Sequence, residues 1–496
     1  MTAPAAPALP PRDRAVIVIL LIATFVVILN ETIMNVALPR LMTDLHVTAS
    51  TVQWLSTAFM LTMAVVIPVT GFLLQRLSTR TVFFAAMTLF SVGTLLAGLA
   101  PGFTVLLLAR VVQASGTAIM LPLLMTTVLT LVPPERRGAV MGTISIVISV
   151  APAIGPTLSG LILNLLSWRA MFLFVLPIAL AALAYGARTL TNVGEQRRTT
   201  LDLVSVPLAA LGFGGGVYGL SQASGSGGFG SAVVVWPLAA SALSLTLFIW
   251  RQRKLERRDA PLLDLRAFRF PMFTVGVLLM MIAMMALFGG AILLPIYLQN
   301  VRGLSSLHTG LLLLPGGLLM GLLAPTVGKW YDRRGPRGLV LTGTALMTAV
   351  LWGLGGLSAG TPVWALLGLH LTLSVGLALL FTPVFTSSLG PLPAHLYSHG
   401  SAILSTLQQV AGAAGTALLI TLMSARTAAL LQDGAAPLLA QTAGLHTAFH
   451  VAAGISLLSI VLAVFLRPAR QGEPHHSEDR PLDEAPTHQD RRPVGS

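Results

Sequence analysis

No cysteine occurs in the 496 residues, which excludes disulfides, thiolate metal sites and cysteine nucleophiles. Charge is scarce: only 9% of residues are Asp, Glu, Lys or Arg, too few to cover a soluble chain of this length. There is no glycine-rich phosphate loop ending in Lys-Ser or Lys-Thr and no His-Glu-x-x-His pair. Nor is any polar stretch long enough to fold into a catalytic domain. An ATP motor and a soluble enzyme or sensor head are thereby excluded, and neither a cofactor nor a metal is expected. Acids are the rarer charge, 17 against 30 Lys and Arg. Asp13, Asp44, Glu135, Glu195, Asp202, Glu256, Asp259, Asp264, Asp332 and Asp433 fall in tails and loops, and six more lie beyond residue 470. One acid is left inside an apolar run, Glu31.

What is abundant is apolar. Residues of that kind make up 55% of the chain, the mean hydropathy is +0.83, and 47 Gly and 31 Pro suit close-packed, kinked membrane helices. The opening MTAPAAPALPPRDR is too polar and proline-rich for a signal peptide, so the first run is expected to remain as a span. Runs separated by charge, Pro or Gly predict fourteen spans: 14–38, 51–74, 81–100, 104–131, 139–163, 168–188, 203–222, 233–250, 272–298, 306–328, 338–357, 363–389, 401–424 and 446–466. With the amino terminus in the cytoplasm, 25 Lys and Arg fall on the cytoplasmic side and only Arg40, Arg169, Arg302 and Arg426 outside. Both termini are therefore expected in the cytoplasm, in a multi-pass cell-membrane protein. The net charge of +13 is explained by orientation and does not call for nucleic acid. The run RQRKLERRDAPLLDLRAF (251–268) is expected to lie on anionic headgroups.

The chain repeats itself. IPVTGFLLQR ending the second span matches APTVGKWYDR 257 residues later, pairing Pro68 with Pro325, Gly71 with Gly328, Arg76 with Arg333 and Arg80 with Arg337. Two six-helix halves alone would give an offset near 200, and the two spans at 203–250 supply the difference. The expected division is a tail (1–13), a six-helix bundle (14–190), a linker with two added helices (191–271), a second bundle (272–466) and a charged, proline-rich tail (467–496) expected to be disordered. An all-α polytopic protein with 6 + 2 + 6 helices and parallel halves about a central cavity has the major facilitator architecture.

Glu31 lies about 25 Å along its helix from Arg14, with Asn30 beside it and Asn35 one turn on. An ionisable group at that depth is costly and by default faces an internal cavity with a function. Two uses are open: exchanging a proton and attracting a cationic substrate, or pairing permanently with a neighbouring span. Arg110, in the fourth span, is the counter-charge candidate, since helical rise puts it about 10 Å and Glu31 about 12 Å from the same face. That pair could be switchable or structural, and Gln113 at i+3 faces the same way. Met280, Met281, Met284, Met285 and Phe288 could line an adaptable cavity, though lipid exposure is open for each of the methionines. Gln408 and Gln409 suit either substrate contact or helix–helix hydrogen bonds. His308 and His370 are isolated and lack metal-ligand spacing.

Seven stretches in register carry a resemblance: LNETIMNVALP, GFLLQRLSTR, LARVVQASGTA, APAIGPTLSG, WRAMFLFVLP, LPIYLQNVRGLSSLHTGLLLLPGG and STLQQVAGAAGTA. They resemble, in order and up to about residue 466, the fourteen-helix drug:proton antiporters of the major facilitator superfamily. The resemblance implies export of lipophilic, often cationic, small molecules in exchange for protons by a monomer in contact with lipids. It makes Gly71, Arg76, Arg80, Gly328, Asp332 and Arg333 a conformational latch. Pro152, Gly155, Pro156 and Gly160 become the antiporter motif, which seals a helix interface or serves as an ordinary packing face. Two positions depart from the family. Asn30 stands where an acid is usual, which moves the proton role to Glu31, and Gln75 stands where the first latch usually has Asp. Export of a lipid or an endogenous metabolite is an alternative. Proton-coupled peptide uptake is another, but its charged first-span cluster is absent.

Overall fold

A computed structural model describes residues 10–193, 200–223, 228–358 and 360–466, without the side chains of residues 35, 36, 39, 49, 50 and 306. Residues 1–9 of the expected amino-terminal tail, the whole carboxy-terminal tail, and Glu195, Arg197 and Arg198 of the linker lie outside the described residues, while residues 11–13 of that first tail already belong to the first helix.

Hydrocarbon offers no hydrogen bonds to a backbone, so the apolar runs satisfy themselves as helices. They are α1 (Pro11–Asp44), α2 (Ala49–Arg76), α3 (Thr79–Gly98), α4 (Phe103–Leu131), α5 (Arg137–Leu165), α6 (Arg169–Thr189), α7 (205–222), α8 (Ala232–Glu256), α9 (Pro271–Ile296), α10 (Ser306–Arg334), α11 (Pro336–Leu354), α12 (Val363–Leu389), α13 (Tyr397–Gln432) and α14 (Pro437–Val464). Their starts are written locally. Thr48, Ser78 and Ser305 accept from backbone N–H groups of the first turn, while Pro11, Pro271, Pro336 and Pro437 open helices where no N–H is needed. Gly335, at φ 74, makes the turn from α10 into α11 that a side chain would strain.

Thirteen of these helices are long and apolar enough to cross a membrane. The fourteenth expected span differs: α7 is one helical run whose middle, Ala210–Gly214, is a π turn. Glycines at 212, 214, 215 and 216 supply no side chains to hold a regular turn there. The neighbouring helix answers the disturbed carbonyls. Ser241 donates to the Gly212 oxygen (2.5 Å) and Ser244 to the Leu208 oxygen (2.9 Å). A side chain at Gly212 or Gly219 would strike Leu245 or Leu238 of α8, so these glycines set the close approach.

Helices α1–α6 pack on one another and α9–α14 do likewise. The two sets meet mainly along α5 with α10 and along α2 with α13. Small residues permit the first contact: side chains at Gly142, Gly317 and Gly321 would run into Ala324, Ala153 and Val150 across it. The added pair α7–α8 lies against both α2 and α13, with Trp54 stacked on Tyr218 and Thr421 donating to the Ala223 oxygen (2.9 Å).

The foot of that pair is pinned by Asp202. Its carboxylate takes two hydrogen bonds from Arg251 (both 2.6 Å) and two more from the Ser205 backbone N–H (2.9 Å) and hydroxyl (2.5 Å). These bonds, Arg251's first, hold its pKa down at about 2 against the opposite pull of burial. A carboxyl depressed in the folded state stabilises above its unfolded pKa, about 4, and loses that contribution as pH falls toward the folded value. Asp202→Ala should therefore lower the unfolding temperature of the purified protein at neutral pH, and the gap from wild type should close on acidification. A gap that does not narrow by pH 2 to 3 would count against the pin.

Candidate functional site

The site is built on α1 and α4. Glu31 is half-buried among the helices. Among the described residues no hydrogen bond or ion pair to it is found. On either side of it in the chain, Asn30 turns toward α4 and Thr32 toward α5. A side chain at Gly155 would strike the Thr32 hydroxyl, so this glycine brings α5 against α1 beside the acid. Gly160, by contrast, faces open space, and Pro152 and Pro156 lie within α5.

Arg110 is 1% exposed and does not pair with Glu31. The two are near enough for their charges to act on each other, but no salt bridge joins them. Its guanidinium donates instead to Asn30 Oδ1 (3.3 Å) and Gln113 Oε1 (2.5 Å), and it lies 4.0 Å from the centre of the Phe59 ring on α2. Gln113 in turn donates to Thr94 Oγ1 (2.7 Å), which donates to the Phe90 oxygen (2.6 Å). Gly93 allows this, since any side chain there would collide with the Gln113 backbone. The neutral amide at position 30 thus takes the arginine, and the acid one residue on is left unpaired.

Phe59 and Thr94 were not among the residues singled out from the sequence. A polar residue one span away from a buried Arg–Gln pair is a weak signal, and an aromatic residue in an apolar helix is none.

The other candidate residues lie on α9 and α13. Met280 and Met284 are buried, and Met281 and Met285 are partly buried against the core, because α9 is packed by α12, α13 and α14. Met280 and Met284 are thus shielded from lipid, while Met281 and Met285 keep part of their surface. Phe288 and Met285 rest on Gly412 and Gly415. Gln409 donates to the Met63 sulfur of α2 (3.3 Å), in the same apolar cluster as Phe59. Gln408 is buried with its amide nitrogen unpartnered. The side chain of Asn35 lies outside the described residues. His308 binds Ser305, and His370 meets the Leu313 oxygen (3.0 Å).

At the end carrying the basic loops the halves are joined. Asp332 of α10 accepts from the backbone N–H groups of Gly138 and Ala139 (3.0 Å each), capping α5 of the other half. Arg137 donates to the Gly390 oxygen (3.2 Å) and the Tyr397 hydroxyl (3.0 Å), and Thr382 to Ser145 (2.8 Å). Gly328 abuts Gly138, and its repeat partner Gly71 abuts His399 and Ala402 of α13. The repeat is thus realised as two crossings, each on the other half's fifth helix. Their polarity differs. Gln75 donates a single bond to the His395 oxygen (2.8 Å) where Asp332 receives two. Arg80 donates to the Ala187 oxygen (2.9 Å), while Arg76 and Arg333 are exposed.

The Major Facilitator Superfamily model matches residues 20–416. Over 464 residues the chain is 41% identical to the lincomycin resistance protein LmrB of Listeria monocytogenes, covering 92% of this chain and 98% of that one. It is 40% identical over 459 residues to LmrB of Bacillus subtilis, covering 91% and 95%. Among solved structures, the human organic anion transporter MFSD10 (TETRAN) has a similar fold, with a TM-score of 0.63 at 17% identity over 92% of this chain and 100% of that one.

The unequal crossings carry a prediction. A carboxylate at a helix amino terminus is worth about 1–2 kcal/mol in a partly buried setting, a roughly fivefold to thirtyfold change in population. Asp332→Asn should open the α5–α10 end by that order, and Gln75→Asn should open it less. Distances between spin labels on the ends of α5 and α10 read this in a chain with no native cysteine. Equal shifts would contradict it.

Proposed function

We propose, because the chain belongs to the Major Facilitator Superfamily and keeps one unpaired acid in its membrane interior, that it exports drugs from the cytoplasm by exchanging them for protons. That the chain is a multi-pass membrane transporter and not an enzyme follows from its family. The finer reading rests on Glu31, which has no hydrogen-bond or ion-pair partner among the described residues while Arg110 is held by Asn30 and Gln113. A group of this kind can gain and lose a proton without breaking an ion pair.

The basic end is taken as cytoplasmic in a bacterial cell membrane, with both termini there, as the excess of Lys and Arg supports. The basic end is closed, so Glu31 in this state would take its proton from the outer side. Breaking the Asp332 and Arg137 contacts would then open the cavity inward, where a lipophilic cation can replace the proton. Phe59, Met63, Met284, Phe288, Gln408 and Gln409 supply apolar and amide surface suited to molecules of varied shape. Lincomycin enters as a first substrate to test because relatives are named for resistance to it.

The experiment uses proteoliposomes with an imposed proton gradient, lincomycin and a panel of lipophilic cations. Wild type should accumulate substrate against its gradient. Glu31→Gln should fall to the uncoupled background while eluting as a folded protein and still exchanging substrate down a gradient. Gradient-driven transport by the variant at the wild-type rate would end this assignment.

A further inference from the structure

The segment after α8 is not a loose basic strand. Gln252, fully buried, accepts from the Leu262 and Leu263 N–H groups (2.8 and 3.2 Å) and donates to Ser205 (2.7 Å). Glu256 accepts from the Leu265 N–H (3.0 Å). Asp264 is buried and binds Arg266 (2.7 Å), which also reaches Asp259 (2.9 Å). Burial pushes the Asp264 carboxyl up, but the hydrogen bonds from Arg266 outweigh it and hold it below the usual carboxylate range. The chain is thus folded back on the end of α8.

This fold leaves a pocket of about 740 Å³ lined by Ile249, Arg253, Glu256, Arg257, Leu265, Arg266, Phe268 and Arg269. Arg266 is engaged by its two aspartates, and Glu256 lies near enough to Arg269 for their charges to interact. Among the described residues, Arg253, Arg257 and Arg269 form no hydrogen bond or ion pair with protein and are exposed. With Arg266 matched by its aspartates, three guanidinium groups to the one carboxylate of Glu256 leave a site in want of an anion. Its rim is apolar: Ile249 is 40% and Phe268 38% exposed. Its depth is marked by Trp250, 63% exposed, with the Lys254 ammonium 5.6 Å from its ring centre. A tryptophan with a lysine reaching along it is the pattern of the headgroup level.

We propose that this pocket binds the phosphate of an anionic glycerophospholipid, with the acyl chains leaving along Ile249 and Phe268 into the bilayer. Arginine forks match phosphate oxygens, and basic pockets at the ends of membrane helices favour anionic headgroups. The site is separate from the proton reading of Glu31 and stands or falls without it. The lipid would also steady the segment that carries Leu262 and Asp264, which face His399 beside Gly71 at the crossing of α2 and α13.

The test is a native mass-spectrometry titration of the full chain in neutral detergent with phosphatidylglycerol and phosphatidylcholine of identical acyl chains. Wild type should retain the anionic lipid more tightly. Replacing Arg253, Arg257 and Arg269 by Gln should weaken it by roughly fivefold per arginine, ~1 kcal/mol each, and leave phosphatidylcholine unchanged. Phe268→Glu, at the exposed rim with every arginine intact, should weaken the same lipid and serves if the triple variant misfolds. Arg188→Gln with Arg334→Gln, on other basic loops, should change nothing. Equal retention of the two lipids, an equal loss in the loop variants, or a wild-type result for Phe268→Glu overturns the proposal. Displacement of the lipid by excess inorganic phosphate would make this a free-anion site and overturn it too.

Discussion

A bilayer core answers no hydrogen bond and solvates no charge, and this constraint orders the polar groups of the molecule. Arg110 is met by Asn30, Gln113 and the face of Phe59, and Gln113 is completed through Thr94. The π turn in α7 is tolerated because serines of α8 take its carbonyls. His370 is held to a backbone oxygen. Glu31 differs from all of these in having no partner among the described residues, and the transport reading begins there.

The same constraint shapes how the halves meet. Glycine and alanine along α5 and α10 let backbones approach without polar glue, so most of that contact can slide or part at little cost in hydrogen bonds. The specific bonds are gathered at the basic end, where Asp332 caps α5 and Arg137 reaches Gly390 and Tyr397. Concentrating charge-assisted bonds at one end makes a hinge-like closure that a few contacts decide. The replacement of an acid by Gln75 leaves the pseudo-symmetric crossing with a weaker bond of opposite sense, so the α5–α10 contact carries most of that decision.

Much of this was legible in the chain. Hydrophobic length, loop charge and the 257-residue offset are properties that membrane insertion reads directly, and they predict the helices and their pairing into repeats. Helical rise also put Arg110 and Glu31 at matching depth. Rise does not give rotation, however. One residue turns a helix by about 100°, which is enough to hand the arginine to Asn30 and leave Glu31 unpaired. Thr94 and Phe59 come from other helices whose register depends on Gly93 and on packing that no local pattern reports. The methionines of α9 illustrate the same limit, since the burial of Met280 and Met284 follows from three neighbouring helices and not from periodicity. The folded linker behind the arginine pocket depends on Gln252, a single buried amide in a run that reads as merely basic.

The central claim is that one carboxyl serves both proton and cation, and proton release measures it most directly. Binding of a tight lipophilic cation to purified protein in unbuffered solution must by linkage expel protons if the two compete for Glu31. Wild type should release up to one proton per site, with cation affinity rising at most tenfold per pH unit below the group's pKa, and Glu31→Gln should release none. Cation binding without proton release, or equal release from the variant, would contradict it.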